Sequence, residues 1–139
     1  MSHLLLSAEQ VAAFVVEVFP ESQAFGARLE ELRAGWLAAH LPFRPDRLRP
    51  GGTISGPTLM TLADVASYWL ILGHVGREAL AVTTSLHMDF LRRPPPSDLC
   101  AEAELLKLGR RLAVVRVSIR STEFEEPVAH AVVTYSIPR

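Results

Sequence analysis

The spacing of apolar residues predicts an amphipathic helix near the N-terminus. Ser7 and Gln10 have the spacing of a capping box, in which each side chain accepts a hydrogen bond from the other residue's backbone N–H. The helix should begin there and stop before Pro20. Apolar side chains then recur at intervals of three and four residues and so share one helix face: Val11, Phe14, Val15 and Val18.

The next two segments differ in how clearly they can be interpreted. The composition of residues 27–41 favours a helix, but Gly35 divides the segment, and residues 36–41 also suit a short strand. Residues 42–57 contain four prolines and three glycines and are predicted to form a loop. Its arginines are either solvated or line an edge that contacts phosphate: Arg44, Arg47 and Arg49.

A second helix and four strands are predicted for the rest of the chain. Pro57 suits the first turn of a helix, where its missing N–H would have no partner, and the helix should end near Gly73. Short connections predict that consecutive strands are antiparallel neighbours. The segments with strand character are residues 80–91, 99–108, 112–121 and 128–137.

Alternation within the strands assigns side chains to opposite faces of a sheet. In residues 80–91 it groups Val82 with Leu86, and Thr83 with Ser85. In residues 128–137 it places Tyr135 on the same face as a run of small apolar side chains. Each strand is therefore predicted to bury one face.

Composition narrows the class of protein. The length of 139 residues suits a single domain over 1–139, with an N-terminal helix in 1–20, a loop at 42–56 and a central helix at 57–73. A formal net charge of −1 gives no general attraction to nucleic acid or to an anionic membrane. Cys100 is the only cysteine, which excludes an intrachain disulfide and favours a reducing compartment. The N-terminus lacks a basic segment, and the apolar run 63–73 is shorter than the ~20 residues of a membrane span. We expect a soluble, cytoplasmic protein.

Asp64 is the main anomaly of the second helix. It carries the only carboxylate between residues 59 and 72, a stretch that is apolar almost all the way round. Thr61, Ser67 and Tyr68 lie three or four residues away, on the same face. Asp64 is either a structural residue, bonded to a backbone turn or to an arginine, or a carboxylate kept in a cleft for general-base chemistry.

Gly56 stands at the start of the same helix. Its backbone N–H has no intrahelical acceptor, and the helix dipole makes that end electropositive, which suits an oxyanion donor. Asp64 lies about 12 Å further along the helix axis. Both groups could act on one carbonyl only in a site assembled between two copies, or in one spanned by a water.

Several motifs resemble the hot-dog thioesterases of the phenylacetate-degradation (PaaI-like) group. That family has a loop G-x-x-H-G-G, and an aspartate eight residues after the first glycine of H-G-G. Gly52-Thr53-Ile54-Ser55-Gly56-Pro57 and Asp64 match this order. Residues 84–92 resemble the family strand T-V-D-L-N-I-D-F-L-R, and 108–113 resemble its hairpin K-x-G-R-x-L-A. The resemblance covers about residues 25–137.

The loop departs from the family pattern at three positions. Ser55 replaces the usual histidine, Pro57 replaces the second glycine, and Arg49 stands where relatives often have asparagine. Pro57 removes one N–H but leaves the Gly56 amide. Ser55 could cap the helix or contact the thioester.

The resemblance implies an α+β fold, with a curved antiparallel sheet wrapped around the central helix, assembled as dimers or tetramers. It implies an acyl-CoA thioesterase whose site lies across a subunit interface. The Gly56 amide of one subunit would polarise the thioester carbonyl, and Asp64 of the other would activate water or attack directly. Thr83 aligns with a hydroxyl residue that in some relatives helps to position the water.

Substrate contacts and rival functions complete the expectations. Pro57, Thr61 and Tyr68 are expected to contact the substrate, with Tyr68 lining the acyl pocket. Arg110 and Arg111, and likewise Arg92 and Arg93, either hold the phosphates of coenzyme A or are solvated charges. No cofactor or metal is expected beyond the coenzyme A of the substrate. The alternatives are a non-catalytic acyl-CoA-binding protein and an acyl-CoA hydratase or dehydratase, which generally needs a histidine beside its carboxylate.

Overall fold

The computed structural model describes residues 3–138, and helix α1 spans Ala8–Val18. The predicted capping box is confirmed: the Ser7 hydroxyl accepts from the Gln10 N–H at 3.2 Å, and the Gln10 side chain accepts from the Ser7 N–H at 2.9 Å. Val11, Phe14 and Val15 are buried, whereas Val18 is exposed at the end of the helix. The predicted apolar face therefore ends one turn early.

Two strands, β1 (Arg28–Arg33) and β2 (Trp36–Leu41), follow a 3₁₀-helix at Pro20–Phe25. They form an antiparallel hairpin, so the helical interpretation of residues 27–41 is wrong and the strand interpretation of 36–41 is confirmed. Gly35 adopts a φ of 77° in the turn, a conformation that glycine accepts without steric cost. The turn therefore overrides the helical propensity of its neighbours.

The loop after β2 contains a 3₁₀-helix at Pro45–Arg47 and a small hairpin of β3 (Leu48–Arg49) and β4 (Thr53–Ile54). Arg47 is neither solvated nor on a phosphate-contacting edge. Its side chain is buried and donates to the carbonyl oxygens of Phe25 at 2.5 Å and Pro42 at 3.2 Å. Arg47 therefore fastens the loop to the segment after α1.

The remaining strands are β5 (Val82–Phe90), β6 (Leu99–Leu108), β7 (Leu112–Ser121) and β8 (Pro127–Ser136). They join the first hairpin in a six-stranded antiparallel sheet of order β1-β2-β6-β7-β8-β5. The predicted neighbours β6/β7 and β7/β8 are confirmed, but β5 and β6 are not adjacent. Pro94, Pro95 and Pro96 lie between them, and a proline-rich segment cannot continue a ladder as a tight hairpin.

Helix α2 spans Gly56–Val75 and packs against the sheet, which wraps around it as the predicted fold class requires. Every residue from Trp69 to Val75 is buried. By length and composition α2 could cross a membrane, so the shortness of the apolar run 63–73 does not exclude a membrane span. The burial of α2 does disfavour one, because 67% of its most apolar 18-residue segment lies inside the protein. α2 is the core helix.

The sequence predicted that α2 would end near Gly73, but Gly73 lies inside the helix. A Cβ at this position would come within 2.9 Å of the Leu32 side chain of β1. Glycine thus permits a close approach of helix and hairpin. The helix ends at Val75, and its C-cap residue, Gly76, has a φ of 91°, which glycine adopts without steric cost.

His74, near the end of α2, should make stability depend on pH. Its Nε2 accepts from the Gly35 N–H at 2.9 Å, and burial lowers its pKa below the ordinary value of 6.5. The His74 imidazole is therefore protonated more readily in the unfolded chain than in the folded protein. This contribution is complete above about pH 6.5 and is lost as pH falls towards the folded-state pKa.

We expect His74→Gln, which can keep an acceptor for Gly35, to flatten this dependence. Urea denaturation of both proteins from about pH 8 to about pH 5 measures it. The wild-type free energy of unfolding should fall more steeply on acidification than that of the variant. Parallel curves would show that His74 does not contribute.

Candidate active site

The Asp64 carboxylate receives two hydrogen bonds from the sheet. Thr83 Oγ1 donates to its Oδ1 at 2.5 Å, and the Tyr135 hydroxyl donates to the same oxygen at 2.8 Å. The phenol also lies 3.2 Å from the Asp64 carbonyl oxygen. Among residues 3–138, neither an arginine nor a backbone N–H bonds this carboxylate, so both structural explanations proposed for Asp64 are wrong.

A β-bulge brings Thr83 to this position. Thr83 pairs with Tyr135, but the next pair is Ser85 with Thr134, so Thr84 is an extra residue. One inserted residue reverses the alternation, because side chains change face at every residue. Thr83 therefore shares the inner face with Leu86, and the predicted grouping of Thr83 with Ser85 is wrong.

Asp64 lines a cavity of about 220 Å³ between α1, α2 and the start of β5. Most of its lining is apolar, including Val15 of α1, Phe19 just after that helix and Trp69 of α2. Tyr68 also lines it, stacks on Tyr135 with ring centroids 6.0 Å apart, and donates to the Ala79 carbonyl oxygen at 3.0 Å. The site is thus a carboxylate with two hydroxyl partners at the edge of an apolar cleft.

Gly56 lies elsewhere in the protomer. It lines a second cavity, of about 350 Å³, with Phe90 and the arginines Arg92 and Arg93. As the first residue of α2 it has no intrahelical acceptor for its N–H. One protomer therefore presents the carboxylate and the free amide in two separate cavities, as the helix length predicts.

The other predicted loop and helix residues have structural partners. Ser55 is the N-cap of α2: its hydroxyl accepts from the Thr58 N–H at 3.3 Å and bonds the Thr58 hydroxyl at 2.8 Å. Thr61 donates to the Pro57 carbonyl oxygen at 2.9 Å, and neither residue lines the two cavities. Ser67 is buried and donates to the Ala63 carbonyl oxygen. None of these side chains forms a hydrogen bond with Asp64.

The predicted phosphate-binding arginines lie at opposite ends of β5. Arg110 and Arg111 are exposed in the β6–β7 hairpin. The next residue, Leu112, pairs with Ser136 of β8. On its other side Ser136 pairs with Val82, the first residue of β5. This hairpin is therefore at the Asp64 end of the sheet. Arg92 donates to the Pro127 carbonyl oxygen at 2.7 Å and lies at the Gly56 end with Arg93.

Tyr135 was missed as a site residue, although the sequence contained a signal for it. Alternation places it on a face otherwise made of small apolar side chains. A buried tyrosine hydroxyl usually needs a hydrogen-bond partner. Its side chain is only 3% exposed, and the partner that it finds is Asp64.

Comparison with known proteins identifies the family of this chain. The family model described as the thioesterase superfamily matches residues 51–127, more than half of the chain, including α2 and β5. The chain belongs to the thioesterase superfamily. No functionally curated protein matches the sequence of this thioesterase-superfamily protein.

Solved structures of several proteins are similar to this superfamily member in sequence and fold. A proposed thioesterase from Silicibacter sp. TM1040 is 45% identical, over 99% of this chain and 95% of that one, with a TM-score of 0.89. A mutant of the phenylacetic acid degradation protein PaaI from Thermus thermophilus is 28% identical over 86% and 99% of the chains, with a TM-score of 0.74. The E. coli PaaI protein, 21% identical over 95% and 94% of the chains, shares the fold with a TM-score of 0.82.

Proposed function

We propose that the protein is an acyl-CoA thioesterase that uses Asp64 and the Gly56 amide. One observation carries the proposal: a carboxylate on the core helix, fixed by two hydroxyl groups, faces an apolar cavity. An apolar cleft suits an acyl chain, and the carboxylate suits activation of water. Because the chain belongs to the thioesterase superfamily, thioester hydrolysis is the first activity to test.

In the proposed reaction, a water oxygen bonds to the thioester carbonyl carbon while Asp64 takes a proton from that water. The Gly56 amide donates to the developing oxyanion. The carbon–sulfur bond then breaks, and the proton passes to the departing coenzyme A thiolate, giving a free acid and a thiol. If Asp64 instead attacks directly, water hydrolyses the resulting anhydride to the same products.

Strand β5 suggests how the two groups meet. It is an edge strand with a free side, and such edges can pair with another chain. Asp64 bonds Thr83 at one end of β5. Phe90 lies at the other end, about 24 Å from Thr83 along the strand, and its ring would be 3.4 Å from a Cβ on Gly56. Antiparallel pairing of two β5 strands about a two-fold axis would place Gly56 of one subunit beside Asp64 of its partner.

The rival functions have less support. None of the residues that line the Asp64 cavity is a histidine, and its partners are hydroxyl groups, which disfavours a hydratase or dehydratase. A non-catalytic acyl-CoA-binding protein would share the cavity but would not turn over. We also propose a cytoplasmic homodimer or homotetramer, in keeping with the lone Cys100 and the free β5 edge.

The cavity also suggests a size for the acyl group. An apolar cavity of about 150 Å³ accommodates one benzene ring. A cavity of about 220 Å³ in one protomer therefore has room for at least an aryl-acetyl group or a short aliphatic chain. Release of free thiol from phenylacetyl-, short-chain and long-chain acyl-CoA tests both points. Saturable binding without turnover of any member would favour the binding protein.

For coenzyme A recognition, we expect the double change Arg110→Ala, Arg111→Ala to raise KM for acyl-CoA more than KM for thioesters that lack the nucleotide. Both side chains are exposed at the Asp64 end of the sheet, and guanidinium groups bind phosphate well. Arg120→Ala, near the other end of β7, is the matched control and should change neither KM. An equal rise for both substrates would remove the phosphate contact from the proposal.

A further inference from the structure

Both hydrogen bonds to Asp64 end on one oxygen atom. Thr83 and Tyr135 donate to Oδ1 from adjacent strands, β5 and β8. Among residues 3–138, no side chain or backbone group donates to Oδ2. The two carboxylate oxygens are therefore chemically distinct in the folded protein.

We infer that Tyr135 is a positioning residue which, together with Thr83, holds Oδ1 of Asp64 and leaves Oδ2 as the oxygen that reacts. The inference rests on the proposed thioesterase function and adds a residue to it. A carboxylate can rotate about its last bond, and two donors on one oxygen oppose that rotation. Holding a reacting atom in place can affect rate by up to about 100-fold.

The surroundings of Tyr135 suit a fixed donor. Its ring is buried and stacks on Tyr68, with an angle of 20° between the ring planes. Burial and the nearby negative charge of Asp64 raise the pKa of the phenol far above its ordinary value, so it keeps its proton and remains a donor. The hydroxyl therefore presents a proton to Oδ1 across the whole pH range in which the protein would work.

A purely structural role for the hydroxyl is less consistent with the geometry. The Asp64 carbonyl oxygen also receives the N–H of Tyr68 within α2, as in any helix, so it does not depend on the phenol. The shorter contact of the hydroxyl is the one to the carboxylate, at 2.8 Å against 3.2 Å. What the phenol adds is a second donor to Oδ1.

The test compares Tyr135→Phe in two backgrounds, wild type and Asp64→Asn. This change removes the hydroxyl and keeps the ring. We expect kcat to fall about 10- to 100-fold with little change in KM in the wild-type background, and no further fall in the Asp64→Asn background. A residue that acts through Asp64 must lose its effect once that carboxylate is gone.

Each result separates the possibilities. An active wild type with an unchanged kcat in Tyr135→Phe would overturn the role of Tyr135 and leave the thioesterase proposal intact. A fall of equal size in both backgrounds would also overturn it, because Tyr135 would then act elsewhere. An inactive wild type would remove the thioesterase proposal itself. Should Tyr135→Phe fail to fold, Thr83→Val removes the other Oδ1 donor and must show the same dependence on Asp64.

Discussion

Asp64→Asn should lower kcat for acyl-CoA hydrolysis by about 10²- to 10⁴-fold, the usual contribution of a general base. An asparagine oxygen can still accept from Thr83 and Tyr135. The amide nitrogen would then occupy the position of Oδ2, where it cannot take a proton from water. The fold should therefore persist while the chemistry is lost, which thiol release and the melting temperature measure together.

Asp98→Asn is a matched control for this change. Asp98 accepts from the Phe43 N–H at 2.7 Å and bonds His40 at 2.8 Å, and it lines neither the Asp64 nor the Gly56 cavity. Removing its charge should cost some stability and leave hydrolysis unchanged. A folded Asp64→Asn protein that hydrolyses acyl-CoA at the wild-type rate would show that Asp64 is not the catalytic carboxylate.

Gly56→Pro should lower kcat by about 10²- to 10³-fold, the usual effect of losing one oxyanion donor. Proline has no N–H, and the first helical position is where it is best tolerated. Ser55, before it, has the extended φ and ψ of −70° and 151° that a following proline favours. Residue 56 also precedes Pro57, so the melting temperature is measured with kcat to separate loss of the amide from backbone strain.

Gly56→Ala is the matched control, because it adds a Cβ and keeps the N–H. That Cβ would lie 3.4 Å from the Phe90 ring, an ordinary contact. Hydrolysis should therefore remain close to wild type in the alanine variant. Equal losses in the proline and alanine variants would point to crowding at Phe90 and away from an oxyanion donor.

Mixing Asp64→Asn and Gly56→Pro subunits tests the shared site directly. If each site takes Asp64 from one subunit and Gly56 from the other, a mixed dimer contains one intact site and one doubly altered site. Random exchange of subunits should then restore about a quarter of wild-type activity. If both groups of a site come from one subunit, the mixture stays as inactive as its components.

Features that depend on neighbouring residues were largely predictable. The capping box of Ser7, the strands that end at Leu108 and Ser121, and the buried helix around Asp64 follow from local periodicity and composition. The separation of Gly56 from Asp64 follows from the rise of a helix. The helical propensity of residues 27–41 led to a wrong prediction, because the pairing of β1 with β2 and the turn at Gly35 outweighed it.

Local periodicity in the sequence determined most of the elements, and the resemblance of several motifs to a known family indicated the fold class and the two groups that we place at the reacting carbonyl. Only the tertiary structure decided which side chains reach Asp64. Thr83 arrives through a bulge that alternation cannot reveal, and Tyr135 comes from a strand 71 positions away in sequence. The burial of Arg47 and the separation of β5 from β6 were decided in the same way. Such contacts depend on register and strand order, which are fixed by packing across the whole sheet.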